Sequence, residues 1–231
     1  MLETNAAVAW LTTTKGHPYE DRYRLLDARV PLVAKLNRGF VYAVVDGIGG
    51  SERPTQAAQA VVDVLVSFFK GGDGSLAALT TLLVNVDREI HAWGNIQNTT
   101  RPLGGAAATI VWLAPDARLN VLHAGDTRAL LVDGDRPVRL TQEHGGGGNT
   151  IRNYFGLGAV QLDIGGRLLE EGDLVCLVTD GVTKVMDDGA IARAVFAGKH
   201  PEGAAREVVQ RARNLKGSDD ITCLIVEVEA L

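Results

Sequence analysis

Four acidic positions along this 231-residue chain could do chemistry together: Glu20-Asp21, Asp46-Gly47, Asp180-Gly181 and Asp219-Asp220. Each stands at the tip of a segment that reads as a strand. Asp46 closes "FVYAVVDG" and Asp180 closes "LVCLVTDG", both apolar runs of buried-strand character. Glu20-Asp21 precedes "RYRLLDARV", and Asp219-Asp220 precedes "ITCLIVEV". A single acid-glycine pair is an ordinary turn. Two matching strand-acid-glycine units with two further acidic pairs mean more if one rim collects them all. Gathered carboxylates repel and raise one another's pKa. A divalent cation relieves that repulsion, and an all-oxygen ligand set suits magnesium or manganese. Zinc requires His or Cys, and Cys176 and Cys223 stand inside apolar runs, where buried reduced thiols are expected. The glycine after each acid lets the backbone turn and present its carbonyl. Asp46 is thus a candidate metal ligand and Gly47 a candidate carbonyl donor.

The elements that must carry these residues follow from periodicity. "NAAVAWLTTT" and "RYRLLDARV" read as strands around a turn at "KGHPYED". Ala57, Ala60, Val61, Val64, Leu65 and Phe68 fall at helical spacing and predict an amphipathic helix over 54–70. "GGDGS" breaks it, and Ser75 caps a second helix over "SLAALTTLLVNVDREIHAWGN". "AAATIVWLA", "RLNVLHAG", "RALLVDG" and "RPVRLTQ" read as strands. "DGAIARAVFAG" and "PEGAAREVVQRARNLKG" read as helices, and "DITCLIVEVEA" closes the chain as a strand. This order is not the regular alternation of a parallel α/β sheet. It predicts an α+β fold: antiparallel strands forming a sandwich with helices on both outer faces. Neither a linker nor a repeat interrupts it, so one domain over 1–231 is expected.

The net charge is −5. That disfavours a nucleic acid or an anionic membrane as partner, since both select a basic footprint. No apolar run reaches the roughly 18 residues of a membrane span, and "MLETNAAVAW" lacks a basic leader region. A soluble cytoplasmic protein is expected.

Several segments together resemble one family. "VYAVVDGIGG" resembles its "DGMGG" strand end, "LHAGDTRALLV" its "GDSRAYL", and "LTQEH" its "LTxDH". "FGLG" resembles "xALG", "LVCLVTDGVTKVMDD" resembles "LCSDGLTD", "SDDITCLIVEV" resembles "DNxTxxxV", and "YED" at 19–21 resembles the opening "NED". In order and in coverage the chain resembles the bacterial form of the metal-dependent protein phosphatase 2C family. The resemblance implies a four-layer αββα sandwich binding two divalent cations, Mn2+ or Mg2+. It implies Asp46 as the bridging ligand, with Asp180 and Asp219 completing one site. Gly47 would serve the other through its carbonyl, with Glu20 and Asp21 acting through water. The implied reaction is hydrolysis of a phosphate monoester on Ser or Thr by a metal-activated water, with Asp46 and Asp180 as the catalytic acids. The substrate would be a phosphorylated, kinase-regulated protein, and the enzyme a monomer.

The departures from the family pattern matter as much. The Arg expected five residues before Asp21 is Gly16, leaving Lys15 as a candidate phosphate contact. Ile48 replaces a Met or His, "GAAAT" lacks the hydroxyls of its counterpart, and Asp220 stands for an Asn. Between "LTQEH" and "FGLG" the family carries a flap of which only "GGGGNTIRNY" is left here. His144 reads as structural rather than catalytic, and His91 as a surface or packing residue. A non-catalytic scaffold on the same fold is the competing reading. An ammonium at Lys15 can neutralise a phosphoryl oxygen but cannot grip it as a planar guanidinium does. Lys15→Ala is therefore expected to raise KM for p-nitrophenyl phosphate and weaken inhibition by inorganic phosphate. Steady-state kinetics check this, and unchanged values would return Lys15 to a solvated turn.

Overall fold

The computed structural model describes residues 2–13, 18–96, 103–133, 136–145 and 150–231. Lys15, Gly16 and His17, and the glycines 146–148, lie outside the described residues. Among the described residues, ten strands form two antiparallel sheets. The first, in spatial order, joins β1 (Glu3–Leu11), β10 (Ile221–Ala230), β9 (Leu174–Val178), β6 (Arg128–Asp133) and β7 (Arg136–Arg139). The second joins β2 (Arg22–Leu26), β3 (Phe40–Gly47), β4 (Ala106–Leu113), β5 (Arg118–Ala124) and β8 (Asp163–Leu168).

Side-chain alternation builds the layers. In β9, Val175 and Leu177 enter the core between the sheets, while Cys176 and Val178 face the other way. In β10, Leu224, Val226 and Val228 join the first core, and Ile221, Cys223 and Ile225 the second. That second core is closed by α5 (Asp188–Gly198) and α6 (Pro201–Asn214), through Ile191, Val195, Ala205 and Val208. On the opposite face, α2 (Pro54–Lys70) and α3 (Leu76–Ile96) lay Ala57, Val61, Leu65, Leu83 and Ile90 over the second sheet. The result is the expected four-layer αββα arrangement. Cys176 and Cys223 are buried, unpaired thiols with sulfurs 3.9 Å apart. No described helix is long and apolar enough to cross a membrane.

Three elements differ from the sequence reading. "PLVAKL" forms a short helix, α1 (Pro31–Leu36), too brief to display a helical period. β8 was not expected, because "DIGGRL" is an edge strand exposed at every position and carries no apolar alternation. Strand β9 stops at Val178, and Asp180 opens a single helical turn, α4 (Asp180–Thr183).

One buried acid ties the helical layer to the strand that faces the site. Asp87, on α3 and fully buried, accepts backbone N–H bonds from Gly156 (2.7 Å), Gly158 (3.1 Å) and Val160 (3.1 Å). That loop in turn pairs Phe155 with Ala106, which lies opposite Gly47 in the sheet. His91, exposed, adds to the seam, its Nδ1 lying 3.1 Å from the Gly156 carbonyl. Removing the carboxylate strands two buried donors and a half-buried one. Asp87→Ala is expected to cost about 2–5 kcal/mol, read by urea denaturation, with faster hydrogen exchange at Gly156, Gly158 and Val160. A variant as stable as the parent would show that water replaces the carboxylate.

Candidate metal centre

The antiparallel topology brings one end of several strands to a common rim. Asp46 is at the C-terminal end of β3, Asp126 follows β5, Asp180 follows β9, and Asp219-Asp220 precede β10. Glu20-Asp21 precede β2. Oxygens of Asp46, Asp126 and Asp180 lie within 4.8 Å of one another. They face a cleft of about 450 Å3 also lined by Gly47, Ile48, Glu143, Thr183, Lys184 and Asp219.

Both acid-glycine pairs place their glycine for a reason other than a turn. A Cβ on Gly47 would lie 2.7 Å from the Pro54 carbonyl oxygen and 3.0 Å from that of Glu20. A Cβ on Gly181 would lie 2.0 Å from the Asp220 carbonyl oxygen. Each glycine thus lets a neighbouring segment, twice an acidic one, close on the strand end. The turn after β3 falls later, at Gly50, where φ is +87°.

Asp21 lies off the cleft lining, buried between the two sheets. Its Oδ2 accepts bonds from Thr179 Oγ1 (2.8 Å) and Thr222 Oγ1 (2.5 Å). Tyr19 Oη is hydrogen-bonded to the same Thr222 hydroxyl. The Glu20 amide donates to Asp220 Oδ2 at 2.7 Å, so the two acidic pairs are laced together. Glu20, like Asp21, is not among the groups lining the cleft.

Sequence reading named Asp46, Gly47, Asp180 and Asp219, and the structure brings all four to the cleft. It missed Asp126. The signal was present, since "RLNVLHAGD" is a further strand run ending in an acid, but no glycine follows that acid. The Asp126 loop is well braced. His144 Nδ1 accepts from the Gly125 amide (3.1 Å), and His144 Nε2 lies 3.0 Å from Asp163 Oδ2. Behind it, Thr109 Oγ1 contacts both Thr127 Oγ1 (2.7 Å) and His123 Nδ1 (2.9 Å). The structural role expected of His144 is the one observed. Arg128, two residues on, bonds Asp188 (2.7 Å) and Glu143, pinning β6 to α5.

The electrostatics are those of crowded acids. Burial, then the neighbouring Asp21, Asp180, Asp126 and Asp219, hold the Asp46 carboxyl well above the usual range. Burial raises Asp21 to about 8 and Asp126 to about 7, with Asp180 adding to both. Asp180 is raised by burial although Lys184 opposes the shift. Lys184 Nζ donates to Asp180 Oδ2 (2.6 Å) and to Asp219 Oδ2 (2.9 Å). Among the described residues, Asp126 Oδ1 and Asp180 Oδ1 are buried with no hydrogen-bond partner. Two orphaned carboxylate oxygens beside a third acid, with no nitrogen or sulfur donor among them, fit a hard divalent cation.

This fold is shared with solved bacterial serine/threonine phosphatase structures. Residues 42–229 match the family model described as Stage II sporulation protein E (SpoIIE). The chain belongs to that family. It is 26% identical over 155 residues to probable protein phosphatase 2C 41 of Oryza sativa subsp. japonica, covering 53% of this chain and 55% of that one. The chain spans about half the length of the curated relatives it matches. Among solved structures it superposes on the serine/threonine phosphatase PstP/Ppp of Mycobacterium tuberculosis with a TM-score of 0.82 at 19% identity, over the full length of both. A PstP catalytic domain in complex with two manganese ions matches with a TM-score of 0.81 at 20% identity, again over both full lengths.

In the metal-free protein the raised acids set a sign for pH dependence. The folded form keeps protons on Asp21 and Asp126 that the unfolded chain releases near pH 4, so stability is lost as pH rises through about 7 and 8. His123, held down to about 4 by burial, acts oppositely, but only up to the unfolded value of about 6.5. With chelator present, the urea midpoint is expected to fall between pH 6.5 and 8. A flat or rising midpoint there would mean that the acids are ionised without a counter-charge.

Proposed function

We propose that the chain is a metal-dependent Ser/Thr phosphoprotein phosphatase of the phosphatase 2C type, acting through two divalent cations, Mn2+ or Mg2+. The observation that carries this reading is the pair of orphaned oxygens on Asp126 and Asp180 beside Asp46. The family match and the two manganese ions of the PstP catalytic domain support it.

In this reading Asp46 would hold both cations, Asp180 and Asp219 would complete the site of one, and the Gly47 carbonyl would serve the other. Asp126 joins the set from β5. Glu20 and Asp21, off the cleft lining, contribute through water. When bound, the cations supply a water of lowered pKa and positive charge for the phosphoryl oxygens. The chain's own part is to hold the acids rigid. Asp46 is locked by its place near the end of a strand paired on both sides, to Arg22–Leu26 and to Ala106–Leu113. Asp180 is fixed by the α4 turn, and Asp126 by the His144 and Thr127 contacts. Lys15 is the proposed phosphate contact.

The whole of 1–231 is proposed to work as one domain, a cytoplasmic monomer acting on a phosphorylated, kinase-regulated protein. The short segment left where the family flap stands leaves substrate selection to other surfaces. A scaffold without catalysis remains the second reading, favoured by Gly16 in place of the clamping Arg.

Hydrolysis of p-nitrophenyl phosphate separates the two. Manganese is expected to support turnover and excess EDTA to abolish it. Asp46→Asn is expected to lower kcat by a hundredfold or more and to weaken manganese binding in calorimetry, while the metal-free variant melts higher because repulsion drops. Full activity in EDTA, or unaltered metal binding by Asp46→Asn, would overturn the assignment.

A further inference from the structure

The oxygens of Asp180 are divided. Oδ1 is buried and unpartnered, while Oδ2 accepts from Lys184 Nζ at 2.6 Å. The same ammonium holds Asp219 Oδ2 at 2.9 Å. The acids therefore form two unlike halves. One, where Asp46, Asp126 and Asp180 come together, carries the orphaned oxygens of Asp126 and Asp180, with no protein cation on them among the described residues. The other, Asp180 Oδ2 with Asp219 Oδ2, is already bridged by a positive charge.

Lys184 is placed there by local structure. The turn Asp180–Thr183 sets residue 184 four positions on, over Asp180, with its backbone amide donating to the Asp180 carbonyl at 2.8 Å. The lysine side chain is 42% exposed, so the stem reaches in from the cleft rim and can swing out again. The other cation lining the cleft, Arg128, is committed to Glu143 and Asp188.

We infer that Lys184 is a tethered counter-cation that competes with a divalent ion for the Asp180–Asp219 pair, so that the two metal positions fill at different concentrations. This rests on the metal reading above and adds a gate to it. The Asp46 half takes its ion first. The second ion enters only by displacing the ammonium, which makes full occupancy respond to metal supply. Removing the charge while keeping the stem isolates the effect. Keeping the charge on a different head group restores it.

The test is calorimetric titration of Mn2+ into the metal-free protein, Lys184→Met and Lys184→Arg. Two steps are expected in the parent. Lys184→Met is expected to tighten the weaker step at least tenfold and leave the stronger within about threefold, while Lys184→Arg stays like the parent. Thermal melting gives an independent reading: metal-free Lys184→Met melts lower, having lost two ion pairs, yet gains more on adding Mn2+. Lys184→Gln serves equally should the Met variant fail to fold. Two steps with the same affinities in Lys184→Met and parent would overturn this inference and leave the metal reading standing. No manganese binding by any of the proteins would overturn both.

Discussion

Mutual repulsion among Asp46, Asp126, Asp180 and Asp219 at one rim governs how the rest of the molecule is arranged. Oxygens of the first three lie within 4.8 Å of one another in a partly desolvated cleft that Asp219 also lines, where like charges interact far more strongly than in water. Side chains on a mobile surface would swing apart. These cannot. Asp46 ends a strand whose preceding five residues are fully buried, and Asp180 is held by a helical turn on the neighbouring sheet. The fold keeps the acids close at a cost in stability. Protonation, Lys184 and bound cations are the three ways to relieve it.

Rigidity at that rim needs the two sheets to be fastened there, and Asp21 is the fastening. It leads into β2 of the second sheet, yet its carboxylate is bonded by Thr179, after β9, and Thr222, in β10, both of the first. The Glu20 amide to Asp220 adds a second stitch between the same sheets. A sandwich core is non-directional and sets sheet separation only loosely. Directional bonds between the strand leaders hold the Asp46 end of one sheet in register with the Asp180 end of the other. The acid that the family resemblance offers as a water-mediated ligand therefore has a structural task that its sequence position alone does not reveal.

What was legible in the sequence was whatever burial imprints on it. β3 and β9 are apolar runs closed by an acid, so Asp46 and Asp180 stood out, and the helix over 54–70 was read to its ends because its buried face repeats at helical spacing. Segments with no buried face left no such imprint. β8 lies exposed at a sheet edge, and α1 is a turn and a half long. Asp126 escaped because its loop is positioned by long-range contacts to His144 and Thr109, none adjacent in sequence. Lys184 escaped for a related reason. Its pairing with Asp180 depends on residues 180–183 being helical, whereas the acid-glycine pair suggested a strand tip and a turn.

The same electrostatics bear on how a phosphate monoester would be held. A dianion entering this cleft meets Asp46, Asp126, Asp180 and Asp219, all of its own sign when ionised. The two basic side chains that line the cleft among the described residues are both engaged with acids, Arg128 with Glu143 and Asp188, Lys184 with Asp180 and Asp219. The guanidinium that would clamp phosphate in the family pattern is replaced by Gly16. In the proposed reading, attraction for a phosphate monoester would come mainly from bound cations, with Lys15 as the remaining contact. In that reading phosphate affinity and metal occupancy are thermodynamically linked: each strengthens the other by the same factor. A phosphatase that kept the Arg would retain some affinity for phosphate without its metals. In the proposed reading Lys15 is what is left of that metal-independent affinity, and metal supply would set most of the substrate binding as well as turnover.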